Sequence, residues 1–146
     1  MNYLRPTQSI VKNAIFNILG DISDLVFVDL FAGTGQIGLE AERKGARVIF
    51  VEKNRKLAFQ IKRKTEKGKV ITGDVLNFLK KWKDKSHIIF ADPPYIYDKY
   101  EELIELALSR LEKGGVFILE HDKWKSFNAP EERKYGDTVL SIWVKE

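Results

Sequence analysis

Short apolar runs alternate with helical patterns along this chain, and that alternation constrains the fold more than any other feature. Runs of strand length fall at 26–31 (VFVDLF), 47–52 (RVIFVE), 69–72 (KVIT), 87–91 (HIIFA), 115–120 (GVFILE) and 138–144 (TVLSIWV). Between them, apolar residues spaced three and four apart predict helices over 7–19, 37–44, 55–65, 75–81 and 100–112. Repetition of strand then helix calls for a mostly parallel sheet covered on both faces. The end of the chain departs from this: Ala129-Pro130 breaks it, and 131–143 reads as two strands joined around Tyr135-Gly136-Asp137. The expectation is an α/β, doubly wound sheet of about seven strands, the last antiparallel, in one domain over residues 1–146.

Composition narrows the functions available to such a sheet. The 146 residues contain no Cys and two His, so a disulfide framework and a thiolate zinc site are excluded. Only His87 and His121 offer imidazole, and no metal is expected. No apolar run approaches the roughly 18 to 20 residues of a membrane span, and the opening MNYLRPTQS has no secretory pattern, so a cytoplasmic protein without membrane contact is expected. The net charge of +4 is mild but uneven: residues 53–69 hold eight Lys or Arg and one acid, Glu66. That stretch reads either as a polyanion-facing surface or as a solvated helix face.

The first strand runs into Asp29-Leu-Phe-Ala-Gly33-Thr-Gly35-Gln-Ile-Gly38, and Glu52 ends the second strand 19 residues after Gly33. Glycines permit a tight turn and close approach of a ligand to backbone, while a carboxylate at the next strand end can accept both ribose hydroxyls. This is a nucleoside cofactor site. Its glycine spacing also satisfies the dinucleotide fingerprint and by itself separates no cofactor from another. Asp29, within the strand, can order the loop or reach a cofactor amino group; Asp74, after the third strand, can accept from an adenine amine, cap the following helix, or do both.

The fourth strand ends in Asp92-Pro93-Pro94-Tyr95. Two successive prolines continue neither a central strand nor a helix, so they fix an irregular turn at the carboxyl edge of the sheet. Asp92 and the Pro93 carbonyl can accept the two hydrogens of an exocyclic amine, and Tyr95 can stack on the ring that bears it. An aromatic amine is a poor nucleophile because its lone pair is delocalised; two acceptors return density to the nitrogen, and a rigid turn aims it at a methyl-sulfonium carbon.

Taken together, these residues resemble a class I S-adenosylmethionine-dependent methyltransferase. More narrowly, the chain is similar to the ribosomal small-subunit methyltransferase D family, which methylates guanine N2 in 16S ribosomal RNA. The likeness is carried by Arg5-Pro6-Thr7 leading to Phe16-Asn17-Ile18-Leu19, by 29–41, by Asp92-Pro93-Pro94-Tyr95, and by Tyr135-Gly136-Asp137-Thr138 with Leu140-Ser141-Ile142-Trp143. It implies a Rossmann-like methyltransferase sheet with S-adenosylmethionine against Asp29, Phe31, Ala32, Gly33, Thr34, Gly35, Glu52, Lys53, Asp74, Val75 and Asp92. Catalysis falls to Asp92, Pro93, Pro94 and Tyr95. RNA contacts are expected at Arg5, Thr7 and Lys12, with Tyr97 stacking beside Tyr95. The expected partner is 16S ribosomal RNA or a small-subunit assembly particle, the chain acting as a monomer. Family members carry a basic strand segment ahead of Arg5, which is expected to be absent or truncated here.

Further residues are ambiguous by sequence. Trp143 fits a core position, Trp124 an exposed stacking surface or lid, and Trp82 either role. Glu120 and His121, ending the fifth strand, can line the substrate pocket, although a strand-end His is more commonly structural. Three other functions are compatible with parts of the pattern: a DNA adenine-N6 methyltransferase, a nicotinamide-dependent oxidoreductase and a non-catalytic RNA-binding module. The first lacks a target-recognition domain, the second leaves 92–95 unexplained, and the third leaves Glu52 and Asp92 without a role.

Overall fold

The computed structural model describes residues 6–146, with side chains from Gln8 onward. The elements follow as α1 (Pro6–Leu19), β1 (Val26–Leu30), α2 (Gln36–Arg43), β2 (Arg47–Glu52), α3 (Arg55–Lys64), β3 (Lys69–Thr72), α4 (Val75–Lys81), β4 (Ser86–Ala91), α5 (Tyr100–Ser109), β5 (Leu111–Asp122), β6 (Glu131–Tyr135) and β7 (Thr138–Val144). The sheet order is β3-β2-β1-β4-β5-β7-β6. Strands β1 to β5 pair in parallel, and β7 runs antiparallel to both β5 and β6, as the terminal hairpin predicts.

The helices start where local chemistry allows. Pro6 suits a first helical turn, where its missing N–H has no intrahelical partner to lose. Asn54 caps α3 by accepting from the Leu57 N–H at 3.0 Å, and Asp74 caps α4 by accepting from Asn77 N–H at 3.0 Å. Lys62, Arg63 and Lys64 occupy the last turn of α3, where cations complement the helix dipole.

Two apolar layers sandwich the sheet. Val11 and Ile15 of α1, Ala41 of α2 and Ile61 of α3 pack with Phe27, Phe50 and Phe90 on one face. Val75 and Leu79 of α4 and Leu103 and Ala107 of α5 pack with Val28, Val51 and Phe117 on the other. Burial of side chains such as Phe27, Phe50 and Phe117 is worth about 1.5–3 kcal/mol each. The outer strand β6 is blunted against further pairing by exposed Glu131, Glu132, Arg133 and Lys134.

One boundary differs from expectation. The helical pattern over 100–112 ends at Ser109, and Leu111 begins β5. Leu111 fits the helical period, but here it is fully buried opposite Ser86, and the register then slips so that Ile88 faces Val116. The intervening residues include Gly114 at φ +82°, a conformation that favours glycine.

This topology places the candidate site. The order in which successive strands are added reverses between β1 and β4, which lie side by side in parallel, and doubly wound sheets bind ligands at the carboxyl ends of strands flanking that reversal. The glycine loop follows β1, and Asp92-Pro93-Pro94-Tyr95 follows β4.

Candidate active site

The glycine loop is fixed from three sides. Ala32 N–H donates to the Val51 carbonyl at 3.0 Å, Gly35 N–H to the Ala32 carbonyl at 2.8 Å, and Gly33 N–H to Glu52 Oε1 at 2.7 Å. Phe31, Gly33 and Gly35 have φ of +57°, +59° and +84°; for Phe31 this is a strained conformation held by its surroundings. Gly38 is required by packing: a Cβ there would lie 2.4 Å from the Phe50 ring. Its N–H donates to Asp29 Oδ2 at 3.0 Å, so Asp29 ties the first turn of α2 to β1. Burial raises the Asp29 carboxyl well above the ordinary range, offset in part by that hydrogen bond and reinforced by Asp92 and Glu52.

Glu52 is held by two backbone donors, Gly33 N–H on Oε1 and Asn54 N–H at 2.8 Å on Oε2. A carboxylate has roughly four acceptor directions, so each oxygen keeps one for a vicinal diol. Glu52 and Asp74 share a cavity of about 770 Å³ with Phe31, Gly33, Lys53, Asn54, Val75, Asp92, Pro94 and Tyr97. That volume suits a nucleoside-sized ligand. Tyr97 supplies a second sign of one: its hydroxyl is buried with no hydrogen-bond partner among the described residues. Burial, with Asp74 next in effect, pushes this phenol up to about 12, so it remains a neutral donor.

Asp92 also lines two further cavities. The first, of about 230 Å³, lies under α1 between Gln8, Val11 and Lys12 on one side and Asp29, Gly33, Phe90 and Glu120 on the other. The second, of about 320 Å³, opens outward past Pro93, Tyr95, Tyr100, Glu120, His121 and Lys125. Asp92 is open to the cleft, yet protein surrounds its carboxyl on most sides, and this desolvation raises it to about 6. Glu120, half-buried, is raised to about 8 by burial and by the charge of Asp92.

Tyr95 is 75% exposed, and the Lys125 ammonium lies 4.2 Å from its ring centroid. Lys125 is in turn bonded to Asp122 Oδ2. An exposed aromatic ring with a cation on one face leaves its other surface for a base.

The structure sorts the remaining residues singled out by sequence. Thr34 is exposed on the loop, and Lys53 is exposed at the rim of the larger cavity. Tyr97 packs edge-on against Phe31 at 5.1 Å and faces Glu52 and Asp74, which places it at the cavity of about 770 Å³ and apart from the outward-facing Tyr95. Lys12 pairs with Glu40 at 3.5 Å and lines the cavity under α1. Arg5 lies outside the described residues, as does the side chain of Thr7. His121 bonds Ser141 Oγ at 2.7 Å and the Asp122 carbonyl at 2.8 Å, a structural role. Trp82 stacks on Phe78 and Trp143 on Phe117, whereas Trp124 is 70% exposed beside Lys123. Glu120 lines both smaller cavities, as the sequence expected of a pocket residue, and strand register is what brings it beside Asp92.

The model of the family described as Conserved hypothetical protein 95 matches residues 1–144. The chain belongs to this family. Among curated relatives, YlbH of Bacillus subtilis, itself named only provisionally as an rRNA methyltransferase, is 34% identical over 97% of this chain and 88% of its own length. The ribosomal RNA small subunit methyltransferase D of Escherichia coli is 34% identical over 70% of this chain, which spans 56% of that protein. Among solved structures, the T. thermophilus 16S rRNA N2 G1207 methyltransferase RsmC, in complex with AdoMet and guanosine, superposes with a TM-score of 0.86 at 23% identity, covering 99% of this chain and 44% of that one. The sheet is thus a Rossmann-like methyltransferase fold. No helix among the described residues is long and apolar enough to cross a membrane, and no cluster of His, Cys, Asp or Glu among them could hold a metal ion.

Proposed function

We propose that this protein is an S-adenosylmethionine-dependent N-methyltransferase acting on guanine N2 of small-subunit ribosomal RNA. One observation carries the reading: Asp92, opening the Asp-Pro-Pro-Tyr turn, is the wall shared by the nucleoside cavity and the outward-facing cavity of Tyr95. The names of the family relatives support the ribosomal RNA substrate.

The cofactor brings an electrophilic methyl carbon on a sulfonium. The residues of the larger cavity suit such a group: Glu52 offers two acceptor positions to the ribose, Asp74 an acceptor for the adenine amine, and Tyr97 a donor without a partner among the described residues. On the opposite side of Asp92, its carboxylate and the Pro93 carbonyl accept the two amine hydrogens, and Tyr95 stacks on the base. Ionised Asp92 withdraws N–H density toward itself, making the nitrogen lone pair available, and it or water takes the proton that the nitrogen releases. A base inside a helix cannot reach this turn, so the target nucleotide is splayed from its stack. Lys12 and the exposed lysines 81, 83 and 85 are phosphate contacts in this reading, which places a monomer in the cytoplasm with its rRNA or an assembling subunit.

The test is transfer of labelled methyl to unmethylated small subunits, free small-subunit RNA and duplex DNA in parallel, followed by nucleoside identification. Label in N2-methylguanosine is the expected result; label only in N6-methyladenine of DNA would overturn it.

A further inference from the structure

We propose that Glu120 reads the ring N–H beside the reacting amine, accepting the hydrogen on guanine N1 while Asp92 and Pro93 hold N2. The proposal rests on the guanine-N2 reading and supplies its base selectivity.

Placement comes first. Ala91 of β4 is in register with Leu119 of β5, so Asp92 and Glu120 emerge next to one another from adjacent parallel strands. Both line the cavity under α1 and the outward cavity beside Tyr95, and no other acid lines both.

Its lack of a partner comes second. The other acids at this edge are engaged: Asp29 with Gly38 N–H, Glu52 with Gly33 and Asn54 N–H, Asp74 with Asn77 N–H, and Asp122 with Lys125 and Trp124 N–H. The half-buried Glu120 carboxyl has no hydrogen-bond or ion-pair partner among the described residues. An unsatisfied carboxyl in a cleft costs stability, and a substrate donor removes that cost.

Base chemistry then selects the ligand. The guanine amine is flanked on its Watson–Crick side by N1–H, a donor; the adenine amine is flanked by N1 with a lone pair, an acceptor. An acceptor set beside the amine holder therefore pairs with guanine and opposes adenine. The raised carboxyl of Glu120 fits this role, since a donor from the base favours its ionised form. The titratable groups facing it are Asp92 and Tyr95 after β4, Asp29 on β1, Lys12 on α1, Tyr100 on α5, His121 and Asp122 at the end of β5, Lys125 after it, and Asp137 in the hairpin. Lys12, Lys125 and Asp137 are already paired, with Glu40, Asp122 and Lys123 respectively.

The experiment measures kcat and KM of wild type, Glu120→Ala and Glu120→Gln on unmethylated small subunits from pH 5.5 to about 9, with cofactor Kd and product nucleosides determined alongside. Glu120→Ala is expected to lower kcat/KM by about ten- to a hundredfold, mainly through KM for the subunit, with cofactor Kd within about threefold. Glu120→Gln, whose carbonyl still accepts N1–H, is expected to recover most of that loss. Wild-type kcat/KM should rise steeply near 6 for Asp92 and by a smaller step near 8 as Glu120 ionises, because the neutral carboxyl, like the Gln carbonyl, still accepts N1–H; Glu120→Gln should lack that upper step. Equal activity of all three proteins, or a Gln variant as impaired as Ala with cofactor Kd intact, would overturn the proposal. A wild-type product other than N2-methylguanosine would remove the guanine-N2 reading itself, and the proposal with it.

Discussion

The two sides of Asp92 are built in opposite ways. On the nucleoside side the carboxylate of Glu52 is pinned by two backbone N–H groups, and that of Asp74 by a helix N-terminus. On the amine side, Asp92 and Glu120 have no such donors among the described residues, and both carboxyls are raised. Pinned acceptors lose little freedom on meeting a ligand, which suits tight, invariant binding. Unpinned carboxyls near neutrality keep their acceptor capacity for a substrate and can take up a proton, which suits a reacting centre.

The largest expected effect breaks the comparison on its reactive side. Asp92→Ala removes one of two acceptors of the amine and should lower the methyl-transfer rate by roughly 10²–10³-fold. Cofactor Kd, measured by calorimetry, should change by less than about threefold. A mirror-image substitution tests the pinned side: Glu52→Ala should raise cofactor Kd by about ten- to a hundredfold, the worth of hydrogen bonds to a charged acceptor. Its rate at saturating cofactor should stay within about fivefold of wild type. If both variants lose rate and affinity alike, the two sides do not divide binding from reaction.

Much of this proposed division is readable in sequence because it rests on local signals. Gly33, Gly35, Glu52, Asp74 and Asp92-Pro93-Pro94-Tyr95 announce themselves by backbone demands and by position at strand ends, and the sheet brings all of them to the carboxyl edge. What escaped is set by long-range register and packing. Sequence named Glu120 as a pocket-lining residue, but that it lies beside Asp92 follows only when β5 aligns with β4; Tyr97 turns inward because Phe31 and Tyr100 offer it aromatic edges at 5.1 and 5.3 Å. The α5–β5 junction escaped for a related reason: Leu111 satisfies a helical period, but burial opposite Ser86 decides its state.

A smaller effect probes the support beneath both sides. Gly38→Ala would set a methyl 2.4 Å from the Phe50 ring and 2.9 Å from Asp29 Oδ2, forcing α2 away from the sheet. Overpacking of this kind costs about 1–3 kcal/mol, to be read as a lower urea midpoint at unchanged m-value. Because the glycine loop is carried on the first turn of α2, cofactor affinity should fall with stability.

The smallest expected effect concerns Asp29, which has a pinned oxygen like the nucleoside side and a raised carboxyl like the amine side. Its folded-state pKa lies above the unfolded value because burial outweighs the bond from Gly38. The folded state therefore binds the proton more tightly than the unfolded one, and stability from this group is fully present below the unfolded pKa and lost as pH rises toward the folded one. Asp29→Asn keeps an oxygen to accept the Gly38 N–H and removes the charge. Wild type and variant should unfold at similar urea concentrations near pH 4 and diverge toward pH 8, with the Asn protein the more stable. Methyl transfer should survive if Asp29 serves only to hold α2 against β1. A variant stable at pH 8 but unable to bind cofactor would instead put the Asp29 charge to work on the ligand, joining it to Glu52 and Asp74.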